Sequence, residues 1–156
     1  MTNETSRPSE IFVDADACPV KAEINRVAER HGMVTHVVSN SGFRPSGNPL
    51  IRNVVVSDKF DAADDWIVER VQPGDIVITA DIQLADRCIK AGAQVLGMTG
   101  KPFTENSIGT ALAMRELSSQ LRDMGEIKGG GPGFSAADRS RFLNALEAMV
   151  QKAKRS

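Results

Sequence analysis

The chain predicts an α/β fold: a three-layer α/β/α sandwich around a mostly parallel central sheet. Short apolar runs alternate with amphipathic segments along most of its length. The runs Ile11-Phe12-Val13 and Ile76-Val77-Ile78 are continuously apolar, as strands covered on both faces should be. This alternation, βαββαβαβ followed by trailing helices, is the order that winds into a layered sandwich.

Ile11 to Val13 opens the series as the first strand. A helix is expected from Pro19, which suits a first helical turn because its missing N–H is not needed there. It should reach about Arg30 with Ile24, Val27 and Ala28 inward, and Gly32 should stop it. Val34 to Ser39 reads as the second strand. Asn40 to Asn48, rich in Asn, Ser, Gly and Pro, reads as a loop. A short third strand follows over Asn53 to Val56.

Asp61 to Val71 has helical spacing, with Ala62, Trp66 and Val68 toward the core and Asp61 as its N-cap. Pro73-Gly74 turns the chain into Ile76 to Thr79, the clearest strand. Ile82 to Ala91 is expected to be a helix closed by Gly92, and Gln94 to Leu96 a fifth strand. Asn106 to Met124 is helical in pattern, with Ile108, Leu112, Leu117 and Leu121 on one side. Gly129 to Gly133 is a break, read most simply as a hinge. A last amphipathic helix spans Ala137 to Lys152.

With 156 residues and 41% hydrophobic content, the chain fits one domain over residues 11–150. A polar, disordered leader over 1–10 and a tail over 151–156 flank it. Six Phe, one Trp and no Tyr argue against an aromatic platform for single-stranded nucleic acid. The net charge of −1 conceals an asymmetry: 14 acids against 10 bases in residues 1–100, then 6 against 9 in 101–156. An acidic front beside a mildly basic back suits a metal site next to a phosphate-binding surface, and equally suits helices that differ only in surface charge.

The two cysteines, Cys18 and Cys88, form no CxxC and stand at no zinc-ligand spacing with His31 or His36. Cys18, beside a helix N-terminus, is a candidate for a lowered thiol pKa. There is no apolar signal region, membrane-length run, Walker A or GxGxxG motif, so cytoplasm is the expected location and no membrane partner is expected.

The aspartates carry the functional signal. Asp14 follows directly on a buried strand, Asp16 lies at the entry to the next helix, and Asp81 stands just past the strand ending in Thr79. Asp61, Asp64 and Asp65 share one helical face at i, i+3, i+4 spacing. In open α/β sheets, ligands bind outside the carboxyl ends of strands, where strand order reverses. Two carboxylates about 4 Å apart repel by roughly 4 kcal/mol at an effective dielectric near 20. Convergence there calls for protonation, an arginine or a metal. With oxygen ligands alone, Mg²⁺ or Mn²⁺ is the expected ion. Each acid also has a structural alternative, as a helix cap, a partner for backbone N–H groups or a solvated first-turn charge.

Asp14-Ala15-Asp16-Ala17-Cys18-Pro19-Val20-Lys21 resembles the opening of the YaiI/YqxD family of uncharacterised bacterial proteins. Ala63 to Ile67, Gly74 to Asp81 with Leu84-Ala85, Asn106 to Arg115, Leu121-Arg122, Gly129 to Pro132 and Phe134 to Phe142 extend the likeness, which covers about Ile11 to Met149. The resemblance implies a PIN-like domain, a superfamily with many Mg²⁺- or Mn²⁺-dependent ribonucleases. Its acids map onto Asp14, Asp64 and Asp81, with Thr79 beside the last. Leu96 to Lys101 holds no acid where a fourth is usual, leaving Asp16 or Asp86 for that place.

Three functions are therefore expected as alternatives. The first is metal-dependent phosphodiester hydrolysis, on RNA before DNA. Asp14, Asp64, Asp81 and Thr79 would be catalytic, the metal would lie on Asp14, Asp16, Asp64 and Asp81, and Lys21, Arg44, Arg139 and Arg141 are candidates for phosphate contacts. The second is a metal- or nucleic-acid-binding module without turnover. The third is a phosphatase of haloacid-dehalogenase type, suggested by Asp14-Ala15-Asp16, with Asp14 as nucleophile; Cys18 stands where that motif wants Thr or Val.

Overall fold

A computed structural model describes residues 7–16, 18–41, 47–59, 61–110, 112–114 and 134–155. The strands are β1 (Ile11–Asp14), β2 (Thr35–Ser39), β3 (Ile51–Val55), β4 (Ile76–Ile78), β5 (Gln94–Leu96) and β6 (Pro102–Phe103). The helices are α1 (Lys21–His31), α2 (Ala62–Arg70), α3 (Ile82–Lys90), α4 (105–110, helical again over 112–114) and α5 (Ala136–Arg155). They build one six-stranded sheet in the order β3-β2-β1-β4-β5-β6, parallel except for β6.

Side-chain alternation along the strands divides the core into two layers. Ile11 and Val13 of β1, with Ile76 and Ile78 of β4, pack with Ile24, Val27 and Ala28 of α1 and Phe142, Leu146 and Val150 of α5. Phe12 and Val77 face the other way, toward Ile67 of α2, Leu84 and Cys88 of α3, and Ile108 of α4. That is the three-layer sandwich expected from the sequence. No helix among the described residues is long and apolar enough to cross a membrane.

Several boundaries differ from the sequence reading. The first helix starts at Lys21, with Val20 as its N-cap, so Pro19 lies in the preceding turn. Gly32 closes it in the left-handed conformation (φ 63°) as expected. The third strand begins at Ile51, whose side chain is buried opposite Thr35. In α2 the wholly buried residue is Ile67, while Trp66 and Val68 are partly buried against the same layer. The strand β6 was not anticipated: two residues give no periodicity to read. It folds back on β5 because Gly97 donates to the Lys101 carbonyl, and Gly100 (φ 91°) lies so close to α5 that a Cβ would meet the Arg141 carbonyl carbon at 2.6 Å.

The last helix runs to Arg155, beyond Lys152 and through much of the expected tail, because Ala153 is still buried in the α1/α5 layer. Of the expected leader, Arg7 to Glu10 are tied to Asp75. Arg7 forks onto both Asp75 oxygens at 2.8 and 2.7 Å, and the Glu10 N–H donates to Oδ1 at 2.9 Å. Arg44, the Gly129–Gly133 break, Leu117 and Leu121 lie outside the described residues.

Candidate functional site

The sheet order turns back on itself between β1 and β4. From β1 the chain steps outward through β2 and β3, then returns to β4 on the other side and steps outward through β5. The loops leaving β1 and β4 therefore part at their carboxyl ends, which opens the crevice where ligands of such sheets bind. Asp14 ends β1, and Thr79 follows β4 one residue beyond the Val13–Ile78 pair, so the two stand side by side. By alternation both share the face of Phe12 and Val77, the α2/α3 face.

The Thr79 hydroxyl links the acids. It donates to Asp14 Oδ2 at 2.8 Å and accepts from the Asp81 N–H at 2.9 Å. Thr79 is fully buried, so this bridge is protected from water. Asp81 is the N-cap of α3: its Oδ1 accepts from the Gln83 and Leu84 N–H groups at 2.8 and 3.3 Å. Among the described residues, Asp14 Oδ1 and Asp81 Oδ2 have no hydrogen-bond or ion-pair partner, and no basic side chain pairs with either acid.

Asp64 stands in the first turn of α2, across the same face. Its carboxyl is pushed up to about 6, first by burial and then by the charges of Asp81, Asp14 and Asp61; Arg87 opposes the shift. Arg87 is itself engaged, donating to Asp65 Oδ1 at 3.0 Å. Asp14 is also raised, chiefly by burial, with Asp81 and Asp16 adding to it and the Thr79 hydrogen bond working against it. The three acids thus feel one another's charge.

Mutual influence is not a cage, however. Among the described residues no three His, Cys, Asp or Glu side chains are gathered so as to hold one ion. The donor chemistry fits a smaller first shell: Mg²⁺ is commonly held by one or two carboxylates and keeps several waters. The two that could hold an ion in that way are Asp14 and Asp81, linked through Thr79. Asp16 faces another task, since its Oδ2 accepts from the Asn40 N–H at 3.1 Å and ties the β1 turn to the end of β2. Asp86 pairs with Lys90 at 2.9 Å, an ordinary i,i+4 contact.

The three candidate phosphate contacts among the described residues are dispersed. Arg139 donates to Glu23 Oε1 at 2.9 Å and the Pro19 carbonyl at 3.0 Å, and its guanidinium lies over Phe134. That joins α5 to the start of α1. Arg141 pairs with Asp138. Lys21 opens α1 and has an interaction of its own. Burial pushes the Cys18 thiol up, so the lowered value expected beside a helix N-terminus is not found: the apolar surroundings outweigh the helix.

Asp61 takes the N-cap position expected of it, but its side chain makes no cap hydrogen bond and its backbone is left-handed (φ 67°), uncommon for a residue with a side chain. Sequence reading missed the Asp75 cluster. Its signal was a lone acid immediately before a fully apolar strand, which needs buried donors.

The comparisons with known proteins agree with one another. The family model described as "Uncharacterized BCR, YaiI/YqxD family" matches residues 12–152. A UPF0178 protein of Parvibaculum lavamentivorans is 60% identical over 147 residues, covering 94% of this chain and 97% of the relative. Another, of Rhodopseudomonas palustris, is 58% identical and covers 93% and 88%; a third, of Rhizobium meliloti, is 57% identical and covers 93% and 99%. No solved structure gives a significant match. The chain belongs to the YaiI/YqxD family.

Proposed function

We propose that the protein is a divalent-metal-dependent phosphodiesterase that cleaves RNA in preference to DNA. The observation that carries this reading is the Asp14–Thr79–Asp81 linkage at the switch point of the sheet. The buried hydroxyl holds the Asp14 carboxylate and the Asp81 backbone N–H, the α3 cap holds the Asp81 carboxylate, and each carboxylate keeps an oxygen unpartnered among the described residues. A Mg²⁺ or Mn²⁺ ion bound to them would activate a water and neutralise charge on the leaving oxygen. Thr79 holds Asp14 in place. Asp64, with its pKa near 6, is poised to take up a proton close to neutral pH. The preference for RNA rests on the resemblance of Asp14, Asp64 and Asp81 to the acids of PIN-like ribonucleases.

The test uses labelled single-stranded RNA and DNA of the same sequence, with Mn²⁺ or with EDTA. Asp81→Asn is the informative variant because asparagine preserves the α3 cap while removing the charge. Mn²⁺-dependent cleavage by the wild type, abolished in Asp81→Asn, is expected. Equal cleavage by both proteins would contradict the proposal, and RNA binding without cleavage would replace it with the non-catalytic module.

A further inference from the structure

The opposite end of the same strands holds a cavity of about 920 Å³, between the chain entering β1, the α1–β2 turn, the turn before β4 and the last turn of α5. Its size falls within the range of small-molecule sites. Arg7, Ser9, His31, Met33, Gln72 and Lys154 are among its lining residues.

The pairing of the lining groups decides what it can take. Both of its carboxylates are engaged. Asp75, 1% exposed, accepts from Arg7 and from the Glu10 and Gln72 N–H groups. Glu10 is held by His36 Nε2 at 2.8 Å and lies 3.7 Å from Arg7. Arg7 in turn is matched by Asp75. The lining sets two cations, Arg7 and Lys154, against the carboxylates of Asp75 and Glu10, but Lys154 has among the described residues no carboxylate partner and only His31 Nδ1, at 3.3 Å. The Ser9 hydroxyl and the Gln72 side-chain amide likewise have no hydrogen-bond partner among the described residues. The uncommitted groups are one cation, one hydroxyl and one amide, beside the apolar surfaces of Pro8, Met33 and Pro73.

We infer that this cavity is a second binding site, for a small organic anion, whose carboxylate or phosphate is met by Lys154 and Gln72 and whose body rests on Met33 and Pro73. The site lies at the amino ends of β1 and β4 and does not depend on the phosphodiesterase reading. It can also report on itself. Glu10 is bonded to His36, whose ring centroid is 5.6 Å from that of Trp66, the one tryptophan of the chain.

Binding is measured by calorimetry and Trp66 fluorescence in EDTA, with adenosine 5′-monophosphate and octanoate as phosphate and carboxylate probes and neutral adenosine as the control. At least one anion should bind with saturable heat and a fluorescence change, and Asp81→Asn should bind it as the wild type does. Lys154→Met should weaken it about tenfold. Gln72→Leu, which leaves the His31 contact intact, should weaken it less. Absence of binding by both anions up to about 10 mM, a limit of roughly 3 kcal/mol, would overturn the inference. So would affinity unchanged in both variants, or adenosine binding as tightly as its monophosphate.

Discussion

The two ends of the β1–β4 pair treat their acids in opposite ways. At the amino end Asp75 accepts four hydrogen bonds, two from Arg7 and two from backbone N–H groups, and Glu10 is paired with His36. At the carboxyl end, among the described residues, Asp14 accepts one, from Thr79, and Asp81 accepts two from N–H groups of the helix it caps. Asp64 accepts none from the described residues, and its carboxyl is raised to about 6. Both ends cost desolvation, but among the described residues only the amino end returns it through a basic partner. The difference separates an acid that fastens the fold from acids with no basic partner among the described residues.

The sharpest way to break this contrast is at Asp75. Asp75→Ala strands the Arg7 guanidinium and two backbone donors, and should lower unfolding stability by about 3 kcal/mol in urea titrations. A loss below about 1 kcal/mol would mean that the amino-end cluster fastens little.

At the carboxyl end two smaller losses separate cap from charge. Asp81→Ala should cost about 1 kcal/mol through the lost α3 cap, and Asp81→Asn only a few tenths. Thr79→Val removes the bridge with little change in volume and should also cost about 1 kcal/mol. Comparable losses from Asp81→Asn and Asp81→Ala would show that the negative charge itself stabilises the fold, contrary to the reading of the site.

The last effect has the opposite sign. Asp64 titrates near 6 in the folded chain and near 3.8 when unfolded, so the folded state binds the proton more tightly. That contribution is fully present below about pH 3.8 and is lost as pH rises through 6. Asp64→Asn should therefore be the more stable protein at pH 8, by about 1 kcal/mol once solvent screening of this half-buried group is allowed for. The gain should vanish at pH 4. Thermal unfolding at the two pH values reads it directly, and a variant less stable than the wild type at pH 8 would count against the crowding of charge.

What was legible in the sequence follows from how far each signal reaches along the chain. Ile11 to Val13 and Ile76 to Ile78 announce themselves because an apolar run before a turn has one stable use in an α/β sheet. Asp14 and Asp81 stood out for the same reason, as acids at the ends of those runs. Strand pairing is not local, so nothing in the sequence stated that β1 and β4 are neighbours or that Thr79 would join the two acids. Asp16 illustrates the converse. It sits in the same motif as Asp14, yet two residues of turn carry its carboxylate to Asn40. Arg139 reads as a free cation until α5 is laid beside α1, where Glu23 and the Pro19 carbonyl take it up. The Arg7–Asp75 fork spans 68 residues, and no periodicity records a contact of that kind.

The most direct examination is a Mn²⁺-soaked crystal of the wild type and of Asp81→Asn, compared in anomalous difference density. A peak within coordination distance of both Asp14 and Asp81, absent from the variant, is expected. A wild-type map with no peak there at saturating Mn²⁺, or a peak that persists in the variant, would contradict a cation site built on those two carboxylates.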